Sequence, residues 1–151
     1  MTNTNSKEIK KYLIFKLENE EYGIDIHKIT TIIRHEMSFA RVPKTPSFLK
    51  GVFNLRGEII PAISLRAKFG LPEDEIGEET RIIILKMDEF TAGVIVDSVS
   101  EVLELVEDAT ESIAGIAGEV SLDYITGIGK YNGRIITLLN MDNLVTLSVA
   151  E

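Results

Sequence analysis

The chain has 151 residues, of which 44% are hydrophobic and 26% charged, a composition typical of one globular unit that buries a core. The net charge of −8 disfavours nucleic acid and anionic membranes as partners, and the absence of Cys excludes disulfides, thiolate nucleophiles and cysteine zinc sites. Apolar runs are far shorter than a membrane span and the first residues lack a hydrophobic signal core, so we expect a cytoplasmic protein without direct membrane insertion.

The first third of the chain predicts a tail, a hairpin and a short helix. Residues 1–10 are polar and are expected to form a flexible tail. The β-rich segments 12–17 and 22–26 flank a polar turn, which predicts a hairpin. Segment 27–33 has apolar residues at helical spacing, and we interpret it as a short helix, although its β-branched residues also suit a strand.

The middle of the chain predicts a second hairpin and a linker. Segments 52–56 and 58–65 form this hairpin around Gly57, and a helical turn follows them. The acidic stretch 72–79 is the best linker candidate, because it is polar and rich in like charges.

The last part of the chain again has a β-rich pattern. Four further strands are predicted, at 81–87, 90–96, 99–105 and 134–140. Residues 107–126 lack a sustained period and are interpreted as a long connection, whereas residues 142–150 are expected to form a C-terminal helix.

An internal repeat organises these segments. Gly23 aligns with Gly93 at an offset of 70 residues, and Gly51 and Gly57 align with Gly127 and Gly133 at an offset of 76. Any two β-rich segments align to some degree, but chance does not readily place three glycine pairs in the same order. The repeat predicts a duplicated five-stranded barrel within one domain, 11–151, with subdomains at 11–75 and 80–151.

Motifs that carry chemistry are incomplete in this sequence. Segment 35–39 begins like a zinc-protease helix but lacks the second His, and the glycines of 127–133 are too close together for a phosphate loop. The acidic residues of 73–79 lack the spacing of a calcium loop, and no Ser sits in a nucleophile elbow. We therefore predict a protein without enzymatic activity, metal or cofactor.

Several strands are apolar on both faces, so a second surface must cover them. The cover is either the other barrel or a protein partner. The residues that suit both roles lie where the repeats meet: Ile26, Ile29, Ile32, Val96 and Val99. The alternative is that all of them belong to the core.

The segment GVFNLRGEIIPAISLRAKFG (51–70) resembles the GVxNLRGxxxPxxxLR signature of the CheW family, the coupling proteins of bacterial chemotaxis. The resemblance extends over residues 11–147. Two positions depart from the family pattern: Ser64 stands where Asp is frequent, and Thr31 where an acidic residue is common. Because no kinase or receiver sequence accompanies the module, a stand-alone adaptor is favoured over the regulatory domain of the kinase CheA.

The resemblance implies a mainly β fold of two SH3-like five-stranded barrel subdomains with a few short helices. It also implies a cofactor-free scaffold that couples the cytoplasmic tip of chemoreceptors to the CheA regulatory domain, recruited by receptors to the inner face of the membrane.

The resemblance also implies two binding surfaces. By position, the receptor's helical hairpin is held in a groove between subdomains by Leu13, Ile26, Ile29, Ile32, Arg56, Val99 and Ser100. For Arg56 the alternative is an ion pair inside its own hairpin. The kinase contact is expected in the first subdomain, at Val42, Pro43 and Phe48. Gly51, Gly57 and Gly127 are expected to serve backbone geometry.

Two alternative functions remain open. The first is an adaptor for another receptor and kinase pair, for instance one that governs pilus motility. The second is a small barrel that binds a short ligand or nucleic acid, which the negative charge and the lack of an aromatic platform disfavour.

Overall fold

The computed structural model describes residues 9–72, 76–106 and 124–145, which contain ten strands and two short helices. The strands are β1 Ile9–Leu17, β2 Glu20–Asp25, β3 Ile29–Arg34, β4 Leu49–Leu55, β5 Glu58–Ser64, β6 Arg81–Lys86, β7 Thr91–Val96, β8 Ser98–Val106, β9 Ile125–Tyr131 and β10 Arg134–Leu139. The helices are α1 Leu65–Lys68 and α2 Met141–Leu144, and a 3-10 turn spans Ile26–Lys28. The predicted mainly β fold with a few short helices is confirmed.

The strands form two five-stranded sheets of equivalent topology. Their orders are β8-β1-β2-β10-β9 and β3-β6-β7-β5-β4. Each sheet has a central antiparallel hairpin, β1–β2 or β6–β7, whose second strand pairs in parallel with β10 or β5. Strand for strand, the second sheet repeats the first.

The registers of the two sheets match the offsets found in the sequence. Gly23 faces Ile14 and Leu138, and the aligned Gly93 faces the aligned Ile84 and Ala62. The β4–β5 and β9–β10 hairpins also share an irregularity, at Leu49/Gly51 in one and Leu138/Leu139 in the other. The predicted duplication is therefore confirmed at the level of individual residue pairs.

The repeats exchange strands, which the sequence analysis did not anticipate. Each sheet takes two strands from one half of the chain and three from the other. Unit 1 comprises Met1–Ile26 with Ser100–Leu144, and unit 2 comprises His27–Val99 with Val145–Glu151. The expected sequential subdomains, 11–75 and 80–151, thus differ from these compact units. Sequence similarity identifies equivalent strands, but it does not say which copy pairs with which.

Each unit has its own apolar core. In unit 1, one cluster of buried residues consists of Tyr12, Ile14, Leu103, Leu105, Ile136 and Leu138. In unit 2, one consists of Phe53, Ile60, Ala62, Ile82 and Ile84, with Ile33, Met37 and Phe39 packed against it. β1 and β6, the first strands of the central hairpins, each have four consecutive buried residues, so both of their faces are covered, as their continuous apolar sequences predicted.

The helix predicted at 27–33 is wrong. A 3-10 turn covers only Ile26–Lys28, and Ile29–Arg34 is a strand whose burial alternates residue by residue as it pairs with β6. The β-branched side chains favour the extended backbone, and tertiary pairing decides the outcome.

Three other expectations fall mostly outside the described residues. Ile9 and Lys10 of the expected tail already belong to β1, and residues 1–8 are not described. The expected connection 107–126 is described only from Tyr124 onward. The C-terminal helix is present as Met141–Leu144, and residues 146–151 lie beyond the described part.

Two of the three glycines assigned to backbone geometry adopt conformations that favour glycine. Gly51 has a φ of 142°, and a Cβ there would lie 2.5 Å from the Ala40 carbonyl oxygen. Gly57 has a φ of 90° in the β4–β5 turn. Gly127 has no positive φ and pairs with Leu138 within the β9–β10 hairpin.

Candidate partner-binding surfaces

Strand β3 lies at one end of the strand order in its sheet and carries two of the expected receptor contacts. Ile29 is half-buried opposite Leu85, and Ile32 lies opposite Ile83 with 36% of its surface exposed. An Ile in the middle of a strand is normally covered by the core. Partly exposed apolar residues on an outer strand are suited to contact a partner.

Arg56 stands at the tip of the β4–β5 hairpin in the left-handed conformation, with a φ of 55°. The turn is held by the Asn54 side-chain oxygen, which accepts a hydrogen bond of 3.0 Å from the Gly57 backbone N–H. The Arg56 side chain is exposed and forms no ion pair with another described residue, so the structural ion pair considered as an alternative is not found there. A strained cation without a structural partner is a candidate contact residue.

The remaining receptor candidates differ in their accessibility. Ile26 and Val99 are half-buried, and Ser100 is exposed. These residues lie where the chain passes from one unit to the other, at 26–27 and 99–100. Leu13 is only 4% exposed within β1, where Tyr12–Phe15 are all buried. Its expected role as a direct receptor contact is therefore not supported, and Leu13 belongs to the core.

The expected kinase contacts belong to the loop between β3 and β4. Val42 is 39% exposed, and Val42 and Pro43 line an open concavity of about 470 Å³. Phe48 is half-buried, and the Lys68 ammonium lies 3.8 Å from the centre of its ring. Burial lowers the pKa of Lys68, since the charged form loses water contacts there. Val42 and Pro43 are accessible, whereas Phe48 is partly covered from within unit 2.

The sequence analysis missed the basic residues of this loop. Arg41, Lys44 and Lys50 all line the same concavity as Val42 and Pro43. The signal was present in the sequence, as these cations fall within ten residues of a chain whose net charge is −8. The net charge is a property of the whole chain and does not reveal such a local excess of cations.

An ion pair holds α1 against the end of β7. Arg66 donates two hydrogen bonds to the Asp97 carboxylate, of 2.8 and 2.7 Å. Both side chains are largely buried. Ser64, one of the departures from the family pattern, caps α1 by accepting a hydrogen bond of 3.1 Å from the Ala67 N–H. Local helix capping is thus maintained by Ser in place of Asp.

A second ionic cluster joins three strands of unit 1. Arg134 on β10 donates two hydrogen bonds to Glu21 on β2, of 3.0 and 2.8 Å, and one to Glu101 on β8, of 2.7 Å. The hydrogen bonds from Arg134 lower the pKa of the Glu21 carboxyl, outweighing the opposite effect of its burial.

The described residues present neither a metal site nor a membrane span. No group of three or more His, Asp or Glu side chains in this part of the chain is placed to hold a metal ion. Within the same residues, every helix is too short to cross a bilayer.

Comparison with known proteins identifies the family. A model of the CheW-like domain matches residues 11–149. The chain belongs to the CheW-like family. Chemotaxis protein CheW of Klebsiella aerogenes is 38% identical to it over 137 residues, which cover 91% of this chain and 82% of that protein. Chemotaxis protein CheW of Helicobacter pylori is 33% identical over 141 residues, covering 93% and 84% of the two chains.

A solved structure supports the CheW-like fold independently. The crystal structure of scaffolding protein TtCheW from Thermoanaerobacter tengcongensis matches with a TM-score of 0.77 and 32% identity, covering 88% of this chain and 90% of that one. The family predicted from the signature at residues 51–70 is therefore confirmed, and the chain is a member of a family of chemotaxis scaffold proteins.

Proposed function

We propose that this protein is a non-enzymatic scaffold that couples chemoreceptors to the histidine kinase CheA in bacterial chemotaxis. The observation that carries the proposal is the similarity to CheW proteins along nearly the whole chain. In this function the protein needs no cofactor and acts in the cytoplasm, where receptors recruit it to the inner face of the membrane. It holds one partner on each of two surfaces.

In this proposal the receptor surface consists of accessible apolar residues of β3, of Val99 and of Arg56. Ile29, Ile32 and Val99 supply apolar contacts, since each leaves part of its side chain uncovered. Arg56 is preorganised at its hairpin tip and fixes the register of the bound segment through its charge. A helical hairpin presents apolar residues at regular spacing, and a few such anchors supply most of the binding free energy.

Two residues flank this surface along the chain. Ile26 precedes the first crossing between units, and Ser100 follows the second. We include both in the receptor surface and leave out Leu13, because its side chain is buried.

The kinase surface is formed by the loop between β3 and β4. Val42 and Pro43 are its accessible residues, whereas the Phe48 ring is in contact with the Lys68 ammonium. Because Arg56 and this loop belong to different turns of unit 2, we propose that the two partners bind without displacing each other.

The receptor surface is tested by the variants Ile29→Asp and Val99→Asp. Both sites are partly exposed, so an Asp remains hydrated and the fold should survive. Receptor binding should fall by about 2 kcal/mol or more, the scale of an interface hot spot, while kinase binding changes little. The measurements are thermal unfolding and the affinities for an isolated receptor tip and for the CheA regulatory domain.

The matched control is Ile135→Asp, which places the same charge on a side chain that is 65% exposed in β10 of unit 1. It should leave both affinities unchanged. Unfolded Ile29→Asp and Val99→Asp proteins would assign these residues to the core, and an equal loss of both partners would contradict the proposed receptor surface.

A further inference from the structure

The loop between β3 and β4 is a positive patch on a negatively charged protein. Arg41, Lys44 and Lys50 line its concavity of about 470 Å³, and no acidic residue lines it. Arg41 and Lys44 are exposed and form no ion pair with any described residue. Since the whole chain carries a net charge of −8, the sign of the charge is reversed locally. Such a reversal attracts a negatively charged partner to this position.

The loop is also held in one shape before any partner binds. At its base, Ala40 and Val52 exchange two backbone hydrogen bonds of 2.8 and 2.9 Å. Within it, the Thr45 hydroxyl donates a hydrogen bond of 2.8 Å to the Val42 carbonyl, and Lys44 adopts a left-handed φ of 62°. A loop fixed in this way loses little conformational entropy on binding.

The apolar residue within the patch narrows the chemistry of the partner. Val42 is 39% exposed between two cations that follow each other closely in the sequence, Arg41 and Lys44. A bare phosphate group would make no apolar contact with Val42, and a nucleic-acid backbone would be repelled by the rest of the acidic chain. A protein segment that combines carboxylates with an aliphatic side chain can contact Arg41, Val42 and Lys44 together.

We infer that this patch binds an acidic segment of the CheA regulatory domain that carries an aliphatic anchor. Carboxylates of the segment pair with Arg41 and Lys44, and the anchor packs on Val42 and Pro43. The inference rests on the proposed function, in which this loop is the kinase surface, and adds that charge complementarity governs the contact. Exposed complementary charges mainly accelerate association and make it sensitive to salt.

The test is charge reversal at the two cations in the full chain. Affinity for the CheA regulatory domain is measured for wild type and for the double variant Arg41→Glu/Lys44→Glu, at ~50 mM and ~500 mM NaCl. We expect at least a tenfold loss of affinity at low salt, a smaller difference at high salt, and unchanged binding of the receptor tip. The neutral variant Arg41→Gln/Lys44→Gln should show an intermediate loss, and thermal unfolding verifies that each variant is folded.

The control is Lys130→Glu, which reverses one charge, half the change of the double variant, at an exposed position of β9 in unit 1. It should not alter kinase affinity beyond a small, salt-sensitive change. If wild type binds the kinase and both double variants bind it equally well at low salt, the inference is overturned while the proposed function stands. If wild type fails to bind the kinase at all, both are overturned. Self-association of wild type that is lost in the double variants would identify a second copy as the occupant and would also overturn the inference.

Discussion

At the scale of single residues, backbone conformation separates positions that build the fold from positions available for contact. Gly51 has no room for a side chain, because the Ala40 carbonyl oxygen and the Phe39 Cβ lie only 2.5 and 2.8 Å from the position that its own Cβ would take. Arg56 and Asn132, aligned by the repeat, both adopt left-handed conformations in equivalent hairpin turns. Asn tolerates this conformation better than Arg does, so the presence of Arg at position 56 calls for a reason beyond turn formation.

We predict that Gly51→Ala destabilises the protein by about 2 to 3 kcal/mol, because the new methyl group meets backbone atoms and the φ of 142° is strained for any side chain. Gly57→Ala is the matched comparison. Its φ of 90° is also strained, but nothing lies within 4 Å, so its cost should be only about 1 kcal/mol. Chemical denaturation of the three proteins measures both differences, and equal losses would contradict the role of close packing at Gly51.

Residue-level reasoning from sequence explains some positions and not others. Gly57 in its hairpin is recognisable from local sequence, since turns depend on neighbouring residues. Gly51 lies within β4, and the close approach of the Ala40 carbonyl oxygen to it is not visible in the sequence. The continuous apolar run of β1 already indicated that Leu13 is buried, and only the family resemblance placed it on the receptor surface. The ionic cluster of Arg134 was not recognisable, because its partners Glu21 and Glu101 are separated from it by 113 and 33 residues.

At the scale of elements, pairing between strands overrides local preference. Segment 29–34 has helical spacing of its isoleucines, yet it becomes β3 because it pairs with β6 from Ile29 to Arg34, with one irregularity between Ile29 and Thr31. The first hairpin, β1–β2, was predicted correctly, as its register depends on an adjacent turn. Elements that form with sequence neighbours are therefore readable from the sequence, and those completed by distant strands are not.

The ionic cluster that joins β2, β8 and β10 predicts a dependence of stability on pH. The pKa of Glu21 is lower in the folded protein than its ordinary value of 4.5, chiefly because Arg134 donates hydrogen bonds to it. Its contribution is therefore fully present above pH 4.5 and is lost as the pH falls through the lowered pKa. We expect Glu21→Gln to reduce Tm at pH 7 and the difference from wild type to shrink progressively below pH 4.5. A difference that stays constant down to pH 3 would contradict this assignment.

At the scale of the whole molecule, the exchange of strands follows from the length of the connections. In the sheet of unit 2, β6 is antiparallel to both β3 and β7, so β3 and β7 run parallel to each other. If the first repeat closed on itself, β3 would take the equivalent place beside β1 and would run parallel to β2. To reach the start of β3, the chain would then have to go back along the length of β2, roughly 17–20 Å, and also cross β1. The three residues Ile26–Lys28 span at most about 11 Å. Between β7 and β8 only Asp97 is available, so neither repeat can close on itself.

We therefore predict that the first half of the chain, residues 1–72, does not fold as a monomer. In the whole chain the β1–β2 hairpin shares a sheet with β8, β9 and β10. When these strands are missing, only the equivalent strands β3–β5 of a second copy can take their place, since the β4–β5 hairpin matches the β9–β10 hairpin in register. Analytical ultracentrifugation should show a dimer in which strands are exchanged, or an unfolded chain. A folded monomer of this half would contradict the connection-length argument.

The central claim is that one chain holds a receptor and the kinase at the same time. The most direct measurement is the mass of the complexes formed when the purified protein is mixed with an isolated receptor tip and the CheA regulatory domain, alone and together. The account predicts a binary complex with each partner and a ternary complex with both, since the two proposed surfaces are formed by different residues. Displacement of the kinase by saturating receptor tip, or failure to bind either partner, would contradict it.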